Sequence, residues 1–145
     1  VERPRVIIEE YLEGENHQPL FDYKFFCFNG EPKLLYVDTW RQGHHAINAY
    51  DMDFQLLRGV KLGYPNDEET VVQPPAAFEE MKRIAADLSQ DFLHVRVDLY
   101  CTQGKIVFGE LTFTKSAGFG KIEPHSFDVQ MGDWLTLPER TEEDR

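Results

Sequence analysis

The stretch VRVDLYCTQGKIVFGELTF, residues 95–113, constrains the fold more than any other part of the chain. Val95, Val97 and Leu99 alternate with Arg96, Asp98 and Tyr100, the period of two that puts successive side chains on opposite faces of a strand. After a turn signal, Val107, Leu111 and Phe113 alternate with Phe108, Glu110 and Thr112. Two such strands must pair so that their apolar faces coincide. A two-residue turn, Gln103-Gly104, would pair Thr102 with Lys105 and set Asp98 opposite Gly109, which mismatches the faces. A three-residue loop, Thr102-Gln103-Gly104, closed by Cys101 and Lys105, pairs Asp98 with Phe108 and Arg96 with Glu110. It aligns the apolar sets and gives Gly104 a left-handed position, so it is the expected register.

That register makes Asp98 and Glu110 diagonal neighbours on one face, where two carboxylates repel unless a cation intervenes. Magnesium takes one or two carboxylates and leaves its other positions to water and phosphate oxygens. Arg96 beside them can cancel one charge or bind a phosphate or carboxylate in bidentate fashion. The same residues also suit a plain solvated face with an Arg96–Glu110 cross-strand ion pair worth under about 1 kcal/mol. Spacing alone leaves both readings open.

Elsewhere, residues 5–12 (RVIIEEYL) read as a short buried strand that ends in charge. Residues 22–28 and 33–40 are strand-like and flank Asn29-Gly30-Glu31-Pro32, a hairpin signal. Residues 46–57 look like further strand broken by Asp51 and Asp53, and 59–74 are loop. Pro74-Pro75 opens one clear helix, expected over 75–90, with Phe78, Met81, Ile84, Ala85 and Leu88 on its core-facing stripe. A loop follows at 114–121, then a polar, proline-containing tail. Several antiparallel strands and one main helix define an α+β domain.

Fifteen Lys and Arg against 26 Asp and Glu give a net charge of -11, which disfavours nucleic acid or an anionic membrane as partner. No apolar run reaches the roughly 18–20 residues of a membrane span. Cys27 and Cys101 lack CxxC spacing, which suits two reduced thiols in the cytoplasm. The opening Val-Glu-Arg-Pro has neither a leader pattern nor an initiator methionine, so the chain is expected to be a portion of a longer one. His44 and His45, adjacent in a strand, point to opposite faces and do not easily share a zinc ion. Gly118-Phe119-Gly120 lacks the GxxxxGK pattern of a phosphate loop and reads as a loop over a ligand site.

Arg96-x-Asp98, followed by Glu110-x-Thr112, resembles the metal-binding end of ATP-grasp enzymes. With IIEEYLEGE, DYKFFCFNGEPKLLYVDTWR, HVRVDLY and GELTF, most of residues 5–137 resembles the TupA-like ATP-grasp family. The resemblance implies the C-terminal lobe of that fold over residues 1–137, with a polar tail at 138–145 and the N-terminal lobe outside this chain. It implies ATP and Mg²⁺ as cofactors, with Asp98, Glu110 and Thr112 around the metal and Arg96 steadying the γ-phosphate or an acyl phosphate. A threonine hydroxyl stands at Thr112 where most of the superfamily has an asparagine, and it would act through water. Glu9, Glu10, Tyr11 and Leu12 match the adenine-binding hinge, and Asp22 and Lys24 the ribose- and phosphate-facing positions. Lys115 and Ser116 stand where many relatives have Pro-Gly.

The activity implied is a bacterial, cytoplasmic ligation in cell-surface polysaccharide or teichuronopeptide biosynthesis. A substrate carboxylate takes the γ-phosphate to form an acyl phosphate, and an amine then displaces phosphate to give an amide. The isolated chain is expected to do little alone and to self-associate through surface the other lobe would cover. Asp98→Asn or Glu110→Gln is expected to impair turnover more than folding. The other reading is a non-catalytic nucleotide- or partner-binding module on a degenerate ATP-grasp fold.

Overall fold

The computed structural model describes residues 5–14, 20–41, 44–69 and 72–139. Five strands form one antiparallel sheet: β1 (Asp22–Phe28), β2 (Glu31–Arg41), β3 (His44–Tyr50), β4 (His94–Thr102) and β5 (Lys105–Thr112), in the order β3-β2-β1-β4-β5. Helix α1 (Phe78–Ser89) lies between β3 and β4 in the chain, and α2 (His125–Asp133) follows β5. The expected α+β class with one main helix holds. Among the described residues no helix is long and apolar enough to cross a membrane.

Alternation in β1 and β4 divides the interior into two layers. Tyr23, Phe25 and Cys27 of β1 and Val95, Val97 and Leu99 of β4 pack under Phe78, Met81 and Ala85 of α1. On the opposite face Phe26 and Phe28 join Leu34, Tyr36, Val60, Leu62, Phe127 and Met131 in a second core. Asp22 and Lys24 occupy that same second face at the other end of β1, so one side of the sheet is apolar at one end and charged at the other. Cys27 and Cys101 are free thiols, and burial pushes Cys27 up to about 11.

Asn29 and Gly30 both take positive φ between β1 and β2, the geometry of the tight hairpin their sequence announces. The β4–β5 hairpin departs from expectation. Gln103 and Gly104 form a two-residue turn with φ of 51° and 69°, and Thr102 pairs with Lys105. A bulge between Asp98 and Leu99 then skips Gly109, so Asp98 faces Glu110 directly and Arg96 faces Thr112. The extra residue corrects the facing that an uninterrupted two-residue hairpin would have lost.

Other expectations need correction. Residues 5–14 form no strand; Val6, Ile7 and Ile8 of the apolar run are among the most exposed side chains described, Ile8 at 92%. This segment has no ladder partner in the five-stranded sheet, and only Leu12 of its apolar residues is half-buried. α1 starts at Phe78 rather than at the prolines, and Leu88 falls on its exposed edge while Ser89 is buried. α2 was not foreseen, because only Phe127 and Met131, one turn apart, anchor it. Residues 140–145 of the expected tail lie outside the described residues.

Gly109 has room for little else: an added Cβ would sit 3.0 Å from the Asp98 carbonyl oxygen and 3.1 Å from the Tyr100 ring. Gly109→Ala is expected to cost about 1–3 kcal/mol in urea unfolding through this overpacking. An unchanged midpoint would show that the bulge does not constrain the hairpin.

Candidate functional site

Strand register sets a row of side chains straight across the second face: Tyr36, Lys24, Asp98 and Glu110, one from each of β2, β1, β4 and β5. Asp98 is only 2% exposed, so its charge needs compensation. Arg96 supplies it, donating from Nε to Oδ1 and from Nη2 to Oδ2, each at 2.6 Å. Lys24 adds a third hydrogen bond from Nζ to Oδ2 at 3.0 Å and also pairs with Asp22. Arg96 Nη2 reaches on to Glu110 Oε1 at 2.7 Å, and the Thr112 hydroxyl donates to the same oxygen at 3.0 Å. The Arg96–Glu110 pair expected of a plain surface is therefore present, but as the outer end of a buried network.

A cavity of about 570 Å³ opens beside this row. Asp22, Asp98 and Glu110 line its polar side, and Tyr100, Val107, Phe108 and Gly109 form a mostly apolar wall. Glu9, Glu10 and Leu12 close it from the N-terminal segment. The sequence thus named six of the residues that meet here. Tyr11 stays exposed and does not line the cavity, and Lys24 acts from beneath it through Asp22 and Asp98. Tyr100 was missed as a site residue although it continues the Arg96–Asp98 alternation, and its hydroxyl lies 3.5 Å from Asp22 Oδ2.

Burial raises the Asp22 carboxyl above its ordinary value, with Lys24 offsetting only part of that cost. Its Oδ1 is buried without a hydrogen-bond donor, an acceptor awaiting a partner. Burial alone would pull Lys24 down, yet its two carboxylate partners, Asp22 and Asp98, leave it raised. Arg96 behaves likewise: burial opposes its charge, and Asp98 and Glu110 more than restore it.

Lys115, which departs from the family pattern, is tied into the second face of the sheet. Its Nζ donates to the Leu62 carbonyl at 2.9 Å and stands over the rings of Tyr36 and Tyr64 at 5.7 and 6.0 Å. Burial, then the charges of Arg96 and Lys24, lower it to about 8. Gly118 and Gly120 line a different cavity from that of Glu9 and Asp98, so the loop does not cover the site where it was expected to.

Among the described residues no group of three or more His, Cys, Asp or Glu side chains could hold a metal by itself. A magnesium ion sharing its shell with phosphate oxygens needs only one or two carboxylates. Glu110, 62% exposed at the cavity rim, fits that demand. Asp98 lines the same cavity but is already held by two cations, so it serves first to fix Arg96 and Lys24.

A charged row thus runs across one end of an antiparallel sheet, beside a cleft closed by an N-terminal segment. The chain belongs to the TupA-like ATPgrasp family, whose model matches residues 2–136. ATP-grasp proteins generally use ATP with magnesium. Over 68 residues the chain is also 32% identical to SWR1-complex protein 3 of Eremothecium gossypii, a match covering 47% of this chain and 10% of that protein. The chain thus spans about a tenth of that relative's length. No solved structure matches it.

Arg96→Met would leave Asp98 buried with Lys24 as its remaining hydrogen-bonding cation, and is expected to cost about 3–5 kcal/mol in thermal or urea unfolding. Adding Asp98→Asn should recover part of that loss, because the unpaired charge is then gone. Strictly additive losses would contradict a coupled buried pair. Asp98→Asn by itself is also expected to weaken folding, because Arg96 and Lys24 each lose a carboxylate partner.

Proposed function

We propose that this chain forms the metal- and nucleotide-binding face of an ATP-dependent carboxylate–amine ligase acting in cell-surface polysaccharide or peptide-polymer biosynthesis. The observation that carries this reading is the cavity in which Glu9, Glu10 and Leu12 face Asp22, Asp98 and Glu110. Backbone groups around Glu10 and Leu12 would take the adenine edge, with Tyr100, Val107 and Phe108 against its faces. The orphaned Asp22 Oδ1 would accept a ribose hydroxyl, which satisfies a buried acceptor at no cost in charge. Glu110, oriented by Thr112, and Asp98 would hold the metal. Bound magnesium would neutralise the phosphates and polarise the phosphoryl group being transferred. Arg96, fixed by its two bonds to Asp98, would offer a preorganised positive charge next to that group without having to reorganise.

A non-catalytic module is favoured by one observation, the internal neutralisation of Asp98 by Arg96 and Lys24. Calorimetry separates the two, carried out on this chain and on a longer protein bearing the lobe the resemblance implies. The ligase reading expects ATP binding that needs Mg²⁺ and weakens at least about tenfold in Glu110→Gln, or about 1.4 kcal/mol. Because Glu110 is exposed, unfolding of that variant should change by no more than about 0.5 kcal/mol. ATP affinity indifferent to EDTA and to Glu110→Gln would remove the metal role and leave the binding module.

A further inference from the structure

A second cavity, about 320 Å³, lies on the same sheet face between the charged row and α2. Phe26, Phe28, His94 and Phe113 line it with Leu62, and Lys115 supplies its cation. The volume suits a small organic molecule, since about 150 Å³ of apolar space already accepts benzene. His94 stacks on Phe26 at 6.2 Å between ring centroids and lies tilted against Phe28 at 4.6 Å, so one wall is an aromatic surface.

Lys115 is placed there by an unusual backbone. Ser116, Ala117 and Gly118, which follow it, all have positive φ (49°, 53° and 81°), a left-handed turn that two of these residues adopt only at a cost. The half-buried ammonium makes one hydrogen bond and forms no ion pair with a described residue. Asp128, on the α2 side of the cavity, lies 3.7 Å from His125 and not within ion-pair distance of Lys115. A strained turn thus holds a cation with unused donors at the mouth of an apolar pocket.

We propose that this cavity is the site for a monocarboxylate with an aromatic or bulky apolar body, its carboxylate on Lys115 and its body against Phe26, Phe28, His94 and Phe113. Phe26 pairs with Arg96 across β1 and β4, and Tyr36, beneath Lys115, pairs with Lys24. A carboxylate on Lys115 therefore sits at the edge of the row proposed to handle phosphate. The inference rests on the ligase reading for its purpose, and deepens it by naming the class of acid to be activated.

Two-dimensional amide NMR of the chain, titrated with sodium phenylacetate or with neutral phenylacetamide, tests it. Phenylacetate should shift the amides of Gly118, Gly120 and Gly132, which line this cavity, and leave Gly109 of the other cavity unmoved. The amide analogue should bind at least tenfold more weakly, and Lys115→Met should abolish that preference while Lys115→Arg keeps most of it. Equal binding of acid and amide, a preference that survives Lys115→Met, or shifts centred on Gly109 would each overturn the proposal. The acid-against-amide comparison on the unaltered chain holds even if Lys115→Met does not fold. Failure of Mg–ATP to shift Gly109 in the longer protein that bears the implied second lobe would instead count against the ligase reading and leave this pocket standing.

Discussion

A carboxylate buried to 2% exposure on an interior strand of the sheet is the constraint from which the rest of this structure follows. Unpaired, Asp98 would cost several kcal/mol, so its neighbours must be cations held at hydrogen-bond distance. Arg96 comes from the same strand two residues earlier, and Lys24 comes from the adjacent strand in direct register. Glu110 then arrives on the far side only because the bulge at Gly109 brings it opposite. Removing Arg96 would leave Asp98 with Lys24 as its remaining hydrogen-bonding cation. The hairpin, its bulge and the first half of β1 are in that sense one unit.

This unit also explains why the second face is divided. Phe26 and Phe28 carry the apolar core to α2, while Asp22, four positions before Phe26 on the same face, lines the cleft, and Lys24 between them bonds to Asp22 and Asp98. The boundary between the two halves is where both cavities begin. On the proposed reading these cavities would take the nucleotide and the organic acid, with Arg96 and Lys24 of the charged row as the cations nearby.

Much of this was legible in the residues. Alternation in 95–99 assigned Val95, Val97 and Leu99 to the core and Arg96 and Asp98 to the other face, and Asn29-Gly30 announced its turn. What failed was physically distinct from alternation. The bulge depends on a glycine having no Cβ beneath a carbonyl, a backbone fact with no periodic signature. The apolar run at 5–12 looked buried because composition cannot say whether a ladder partner exists. Lys115 meets Tyr36 from a distant part of the chain, and nothing local foretells that contact. Spacing alone could not separate a metal site from an ion pair; the structure contains the ion pair, and its burial ties it to a cleft.

On the proposed reading Glu110, positioned by Arg96 and Thr112, would hold a metal ion together with nucleotide phosphates. Anomalous diffraction from crystals of the protein grown with Mn²⁺ and a non-hydrolysable ATP analogue measures this directly. The account predicts a metal peak about 2 Å from a Glu110 carboxylate oxygen and shared with phosphate oxygens, with the adenine against residues 9–12. A nucleotide bound in the cleft with its metal held away from Glu110 and Asp98, or a nucleotide bound on another face of the sheet, would contradict it.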